Sequence, residues 1–493
     1  MNTLSPPEVM SAVDVVVIGA GPAGMAAATT CANAGLRTVL LDEQHGPGGQ
    51  IYRAITHTPL QARGTLGPDY WEGERLVQAL SQSAVQHLHG ASVWNVSSEL
   101  EVAVSRGGQS FILKPRHVIV ATGAQERPFP IEGWTRPGVM TAGAAQILLK
   151  SSGVVPAGKT VLAGCGPLLW LLASQLLAAG ARLEAVLDTT PKTNWLNAAA
   201  HAWEFVTSPY FFKGLALWLK VRTRVRVITG VTQLRAEGAS GGAAPDASDG
   251  DRAVDALQRV VWQCGSSAEE SMPVDTLLLH QGVVPQTNLA MAIGVKHRWD
   301  ETQLCWHPEV DAMGQTALEG VSIAGDGAGI GGAWVAAVRG RLAALGVLRR
   351  LLGPAADATR WPDESRLRTQ LQRLMRGRAF LDVLYQPGVA QRIPQGKTLV
   401  CRCEEITAEQ IEQTVALGCP GPNQMKSFLR CGMGPCQGRL CSLTVTELMA
   451  QARGVSPQEV GHYRLRAPIK PITVGELASM PQNEPAVRAV VRM

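Results

Sequence analysis

Short apolar runs separated by glycine-rich turns set the pattern of this chain. Residues 13–18 (Val-Asp-Val-Val-Val-Ile) are apolar at all but one position and predict a buried strand. An alanine-rich stretch over 25–34 predicts a helix, and 38–41 predicts a second strand ending in Asp42-Glu43. The same order returns as a strand at 161–163, a turn at 164–169, a helix to residue 179 and a strand over 183–187 that ends at Asp188. Further buried strands are predicted at 117–120, 274–279 and 321–324, and a helix over 333–350 opened by Gly331 and Gly332. Apolar bursts over 91–113, broken by Arg106-Gly107-Gly108, predict an antiparallel hairpin. The run 161–181 is long and apolar enough to cross a bilayer. Gly164, Gly166 and Pro167 mark a strand-to-helix turn inside it, however, and Ser174 and Gln175 interrupt the helix, so a strand plus a buried helix is expected.

The first of these units has the spacing of a dinucleotide site. Gly19-Ala20-Gly21-Pro22-Ala23-Gly24 lies between strand and helix. Gly19 allows the tight turn, Gly21 lets a pyrophosphate approach the backbone, and Gly24 lets helix and strand pack closely. The helix N-terminus turns its free N–H groups toward the phosphates. A carboxylate twenty-odd residues on accepts from the ribose; Asp42 has the expected spacing and Glu43 is second choice. Gly48-Gly49-Gln50 follows as a loop able to pass beneath a cofactor or to be a plain surface turn. The second unit keeps Gly164 and Gly166 but has Leu169 at the third-glycine position, so it reads equally as a nucleotide site and as a purely structural domain.

Composition narrows the field. With 493 residues, 46% of them hydrophobic, two to four domains are expected. A net charge of +5 without a basic block gives no footprint for nucleic acid. Residues 1–10 have neither a cationic start nor an apolar core, so no signal peptide and a cytoplasmic protein are expected. The stretch 194–220 is rich in Trp, Phe and Tyr, which suits helix packing or a surface for a partner protein. A Gly/Ala/Asp-rich run at 237–251 reads as a surface loop, and 351–395 as a charged helical connector with a boundary near Pro394. Of ten cysteines, Cys31, Cys165, Cys264 and Cys305 are isolated; the other six lie between Cys401 and Cys441, which favours ligation over disulfides.

Residues 117–124 (His-Val-Ile-Val-Ala-Thr-Gly-Ala) bring a resemblance into view. Ala121-Thr122-Gly123, with the two βα units, resembles the two-dinucleotide-domain flavoproteins of the glutathione reductase and thioredoxin reductase class. That resemblance implies an α/β fold: a Rossmann-type FAD domain (1–150 and 300–350) with an inserted NAD(P)-type domain (151–299). It implies FAD held by the first glycine turn and by Gly325-Asp326, with His280 either near the flavin or structural. A connector (351–397) and a small helical domain (398–493) complete the expected organisation.

The last domain opens with Cys401-Arg402-Cys403, followed by a helix from Thr407 capped through Gln410, and then by Cys431-Gly-Met-Gly-Pro-Cys436-Gln-Gly-Arg-Leu-Cys441. Close cysteine pairs on glycine-rich turns suit zinc or a 2Fe–2S cluster. The spacing resembles the bacterioferritin-associated-ferredoxin module, which implies Cys401, Cys403, Cys436 and Cys441 as ligands of a 2Fe–2S cluster, with Cys431 the nearest substitute.

No C-x4-C pair stands in the FAD domain, so disulfide reduction is not expected. The full arrangement resembles the large (A or α) subunits of heteromeric opine oxidases, D-hydroxyproline and L-proline dehydrogenases and hydrogen cyanide synthase. This implies oxidation of the C–N bond of an amino or imino acid by a complex. Its partners would be a smaller FAD-containing, amino-acid-oxidase-like subunit plus a small ferredoxin-like one, with room for a second nucleotide or FMN. The competing readings are an NAD(P)H-dependent flavin/iron–sulfur reductase, a component of a glycine-oxidising cyanide synthase, and a structural subunit whose cofactors serve assembly alone. No catalytic residue is assigned.

Overall fold

The computed structural model describes residues 13–60, 62–238, 255–353, 359 and 361–480. Residues 1–10 and most of the 237–251 run therefore lie outside the described residues.

The first sheet is parallel, with strands in the order Val321–Ile323, His117–Val120, Val15–Ile18, Thr38–Asp42 and Gln86–His89. Val15 faces Thr38 on one side and His117 on the other. The first four of these strands are buried on both faces, which explains their mostly apolar runs, whereas the edge strand Gln86–His89 buries only Leu88. The Pro22–Asn33 helix packs along the Ala333–Leu352 helix, and small residues allow the approach: a Cβ on Gly340 would lie 2.2 Å from the carbonyl oxygen of Ala23. The segment over 91–113 forms three antiparallel strands, Ser92–Val96, Val102–Arg106 and Gln109–Leu113, instead of a single hairpin. A turn at 97–101, closed by Ser97, supplies the extra reversal.

The second sheet is also parallel: Arg226–Thr229, Leu183–Asp188, Thr160–Cys165, Thr276–Gln281 and Val139–Thr141. Because Val139–Thr141 pairs with Thr276–Gln281, sheet membership changes between Glu126 and Val139, earlier than the expected residue 151. The two crossings between domains, Ala124–Glu126 and Val283–Pro285, pair with each other as antiparallel strands. The apolar run at 161–181 is the strand Thr160–Cys165 and the helix Pro167–Ala178; no described helix is long and apolar enough to cross a membrane.

The connector is packed rather than free. Its Glu364–Met375 helix seats Leu367 against Val338 and Leu342, and Arg378–Leu384 seats Phe380 and Leu384 against Ala198. Beyond it, Leu399–Cys401 and Ile406–Thr407 form a small hairpin, followed by helices Ala408–Ala416, Pro422–Leu429 and Ser442–Arg453. Thr407 and Gln410 make the reciprocal cap that the sequence predicts. The chain then returns to the first domain, where Ile469 N donates to Trp94 O at 2.9 Å.

Candidate functional site

A cavity of about 1190 Å³ runs from the first glycine turn to the second, larger than the roughly 300–1,000 Å³ of ordinary ligand pockets. Gly19, Gly21, Pro22, Ala23, Asp42, Glu43, Gly49, Gln50, Ala121, Thr122, Gly123, Gly166 and Asp326 all line it. Gly24, Gly164 and Gly325 do not; they are packing glycines behind the wall. A Cβ on Gly24 would overlap the Gly19 carbonyl, and one on Gly164 the His280 carbonyl. Gly49, at φ +60°, rests on the turn so closely that a Cβ there would sit 2.8 Å from Gly21 Cα. The turn therefore presents bare backbone from two sides, together with the N-terminus of the Pro22–Asn33 helix.

The acids behave differently from one another. Asp42 is turned inward, accepting from Ala20 N at 2.5 Å and Gln44 N at 2.7 Å, and so fixes the turn against the following loop. Glu43 lies at the rim and is ion-paired to Lys470 of the returning C-terminal segment. Asp326 accepts from Gly331 N at 2.9 Å and Gly332 N at 3.0 Å, shaping the entry to the Ala333–Leu352 helix. Beneath the Gly48–Gln50 loop, Lys150 is fully buried and donates to Gln50 O (3.2 Å), Ile51 O (2.9 Å) and Gln146 Oε1 (3.0 Å). Burial pulls its ammonium down to about 7.

At the other end, Gly166 precedes the Pro167–Ala178 helix, whose Leu169 is buried among helices where a nucleotide-binding turn has its third glycine. Asp188 accepts from Thr190 N (2.9 Å) and Thr190 Oγ1 (2.6 Å), and burial raises its carboxyl above the usual range. His280 is not a bystander: its Nδ1 is 2.6 Å from Glu126 Oε1, and both line the cavity. The aromatic stretch serves two faces. Phe205, Tyr210, Phe211 and Trp218 line the cavity, whereas Trp203 and Phe212 stand about three-quarters exposed (75% and 76%).

In the last domain the sulfurs of Cys401, Cys431 and Cys441 lie within 4.8 Å of one another, and Cys403 is in hydrogen-bond contact with Cys436. The thiols thus fall into a group of three, 401/431/441, and a pair, 403/436, so that Cys431 shares one group with Cys401 and the expected ligand Cys441. Hydrogen bonds from the Cys431 and Cys441 thiols pull Cys401 down to about 2, making it a ready thiolate. Cys419 stands apart and donates to Gly421 O at 3.6 Å. Tyr463 lies over Gly432 and Gly438, where a Cβ would meet its ring at 2.6 and 3.0 Å. The loop carrying Cys436 and Cys441 is bonded to the cavity wall: Gln125 Nε2 donates to Arg439 O at 2.8 Å and Asn288 Nδ2 to Gln437 O at 2.9 Å.

Two family models match the chain, pyridine nucleotide-disulphide oxidoreductase over residues 13–340 and the sarcosine oxidase A3 domain over 395–480. The A subunit of opine oxidase from Agrobacterium tumefaciens (strain Ach5) is 46% identical, over 97% of this chain and 93% of that protein. The chain belongs to the family of opine oxidase A subunits. Hydrogen cyanide synthase subunit HcnB of Pseudomonas protegens is a more distant relative, 31% identical over 93% of this chain and 96% of its own. The L-proline dehydrogenase structure from P. horikoshii shares the fold, with a TM-score of 0.68 at 20% identity, covering 94% of this chain and 79% of that one.

Membership in the family makes the chain a flavin-dependent oxidoreductase that works as one subunit of a larger enzyme. The family implies FAD, and the glycine cradle around Gly21 fits a dinucleotide. Several site residues escaped the sequence reading. Lys150 could have been found as a lone cation in the apolar helix Ala142–Ser152, but nothing local marks Arg53, Gln125, Glu126 or Lys470.

Proposed function

We propose that this chain is the FAD- and 2Fe–2S-containing subunit of a heteromeric dehydrogenase that oxidises the C–N bond of an opine or a related amino or imino acid. One observation carries the reading: the Cys436–Cys441 loop is hydrogen-bonded to the wall of the nucleotide cavity through Gln125 and Asn288. A thiol-rich centre docked there suits electron transfer better than a distant structural metal. Bound at these two places, FAD would exchange electron pairs and a cluster single electrons, joining an amine-oxidising step to an outside acceptor. The chain's own part is to hold the dinucleotide on the Gly19–Gly24 turn, to position the cluster through Cys401, Cys403, Cys436 and Cys441, and to exclude water between them.

Substrate oxidation falls to a smaller, FAD-containing partner of the amino-acid-oxidase type, with a small ferredoxin-like protein as a further partner, in the cytoplasm. Buried Leu169 at the third-glycine position counts against NAD(P)H at the second turn and leaves that end of the cavity to FMN or another nucleotide. The experiment is an anaerobic absorbance titration with octopine, nopaline, D-hydroxyproline, proline and glycine. The expected result is no flavin bleaching by this chain alone and bleaching once the smaller subunit is added. Bleaching of the lone chain would move the substrate site here, and bleaching by NADH would favour a reductase.

A further inference from the structure

Six cations line the large cavity among the described residues: Arg53, Arg127, Lys213, Arg378, Arg439 and Lys470. Five are engaged. Arg127 donates to Leu304 O (3.0 Å) and Gln303 O (2.6 Å), and Arg439 to Ile469 O (3.0 Å). Lys213 pairs with Asp69, Arg378 with Asp382 and Lys470 with Glu43. Among these described cations Arg53 alone has no side-chain partner, and its Nε is buried without one.

The backbone that carries this arginine is held in place. Its carbonyl accepts from Tyr70 Oη at 2.7 Å, and Lys150 fixes the carbonyls of Gln50 and Ile51 just before it. The same segment begins with Gly49, packed onto Gly21 of the phosphate turn. Asp42 is the carboxylate that attracts Arg53, but both its oxygens are occupied by backbone N–H groups of Ala20 and Gln44. A half-buried guanidinium without a partner is costly to maintain unless an anion completes it. A planar, forked donor is also the side chain best matched to phosphate oxygens.

We propose that Arg53 receives the phosphate charge of the nucleotide seated on the Gly19–Gly24 turn, so that the Gly48–Arg53 segment is a second anion-binding arm facing the helix N-terminus. This deepens the FAD reading and rests on it, except that any nucleotide bearing a diphosphate would meet the same arginine.

The test compares wild type, Arg53→Met and Arg53→Lys, each stripped of cofactor and checked for native secondary structure and thermal unfolding. Binding of FAD, ADP and phosphate-free riboflavin is measured by fluorescence and calorimetry at two salt concentrations. Arg53→Met is expected to weaken FAD and ADP roughly 10- to 100-fold, to leave riboflavin unchanged and to flatten the salt dependence. Arg53→Lys should recover part of the loss. Equal FAD affinity in wild type and Arg53→Met would overturn the proposal while the FAD reading stands. Equal loss of FAD and riboflavin would also overturn it, marking Arg53 as structural. A wild type that binds ADP but no FAD would sink the flavin reading and keep the role of Arg53. Should Arg53→Met not fold, the wild-type salt dependence decides: ADP affinity that ignores ionic strength rejects the charge contact.

Discussion

The side-chain amide of Gln125 reaches out of the crossing between the two nucleotide domains and donates to the carbonyl of Arg439, 2.8 Å away in the cysteine loop. Asn288, at the start of the helix after the return crossing, does the same to Gln437. The two bonds place the thiol loop against the cavity from both crossings at once. Replacing both residues by leucine removes about 1 kcal/mol each of docking energy without touching a glycine of the cradle or a cysteine. The expected outcome is unchanged flavin and iron content but slower passage of electrons from flavin to the iron centre, roughly tenfold, seen by stopped-flow spectroscopy of the reconstituted complex. Identical rates in the double variant would detach this contact from electron transfer.

The grouping of sulfurs makes a separate prediction. The proposed ligand set takes Cys401, Cys403, Cys436 and Cys441 for two irons with two thiolates each, whereas the sulfur of Cys431 lies in the same close group as those of Cys401 and Cys441. Cys436→Ser and Cys441→Ser should therefore lose most of their iron while FAD remains, and Cys431→Ser should retain it. Metal analysis and electron paramagnetic resonance read the result. Full iron in Cys436→Ser together with loss in Cys431→Ser would exchange the two residues in the ligand set.

Lys150 supports the cradle from beneath. Its three acceptors lie at 2.9–3.2 Å, and only a charged ammonium offers three N–H groups to meet them. Lys150→Met fills a similar space but strands the Gln50 and Ile51 carbonyls in a buried site. The cost is partly offset because a buried charge is removed, so a net loss of about 1–3 kcal/mol is expected. Denaturant unfolding should show it, and FAD affinity should fall in parallel because the Gly48–Gln50 loop loses its floor. Undiminished stability with undiminished FAD binding would reduce Lys150 to a filler.

What the sequence made legible, and what it hid, follows the range of the interactions. The two βα units are local: apolar runs, glycines at fixed offsets and a terminal acid announce strand, turn and helix without help from distant residues. The capping pair Thr407–Gln410 is legible for the same reason. The parallel partner of Val139–Thr141 lies more than a hundred residues away, so the boundary between domains had to be read from the sheet. Asp42 has the right spacing for a ribose acid, but spacing says nothing about its orientation toward Ala20 N and Gln44 N. The position of Cys431 beside Cys401 and Cys441 depends on how two loops fold back under Tyr463, which no local motif records.

Two buried histidines carry a pH dependence. His117, at the start of its strand, is buried, with Nε2 2.6 Å from Ser322 Oγ on the neighbouring strand and Nδ1 without a partner. Burial, aided by the charge of Arg350, lowers its imidazole to about 4; His297, bonded through Nδ1 to Val295 O, is lowered to about 4 as well, again chiefly by burial. In the unfolded chain both protonate near the ordinary histidine value of about 6.5. Between the two values the unfolded state binds more protons than the native one, so stability falls as pH drops through that window. Their contribution is intact above pH 6.5, declines from there and is spent near pH 4, with up to about 3 kcal/mol at stake for each. His117→Gln, which keeps a polar contact to Ser322 but cannot titrate, should be less stable than wild type at pH 8 and lose less stability between pH 7 and pH 5. Denaturant titrations across that range decide it: parallel curves for variant and wild type would mean that His117 binds its proton equally in the folded and unfolded chain, and the burial argument would fail.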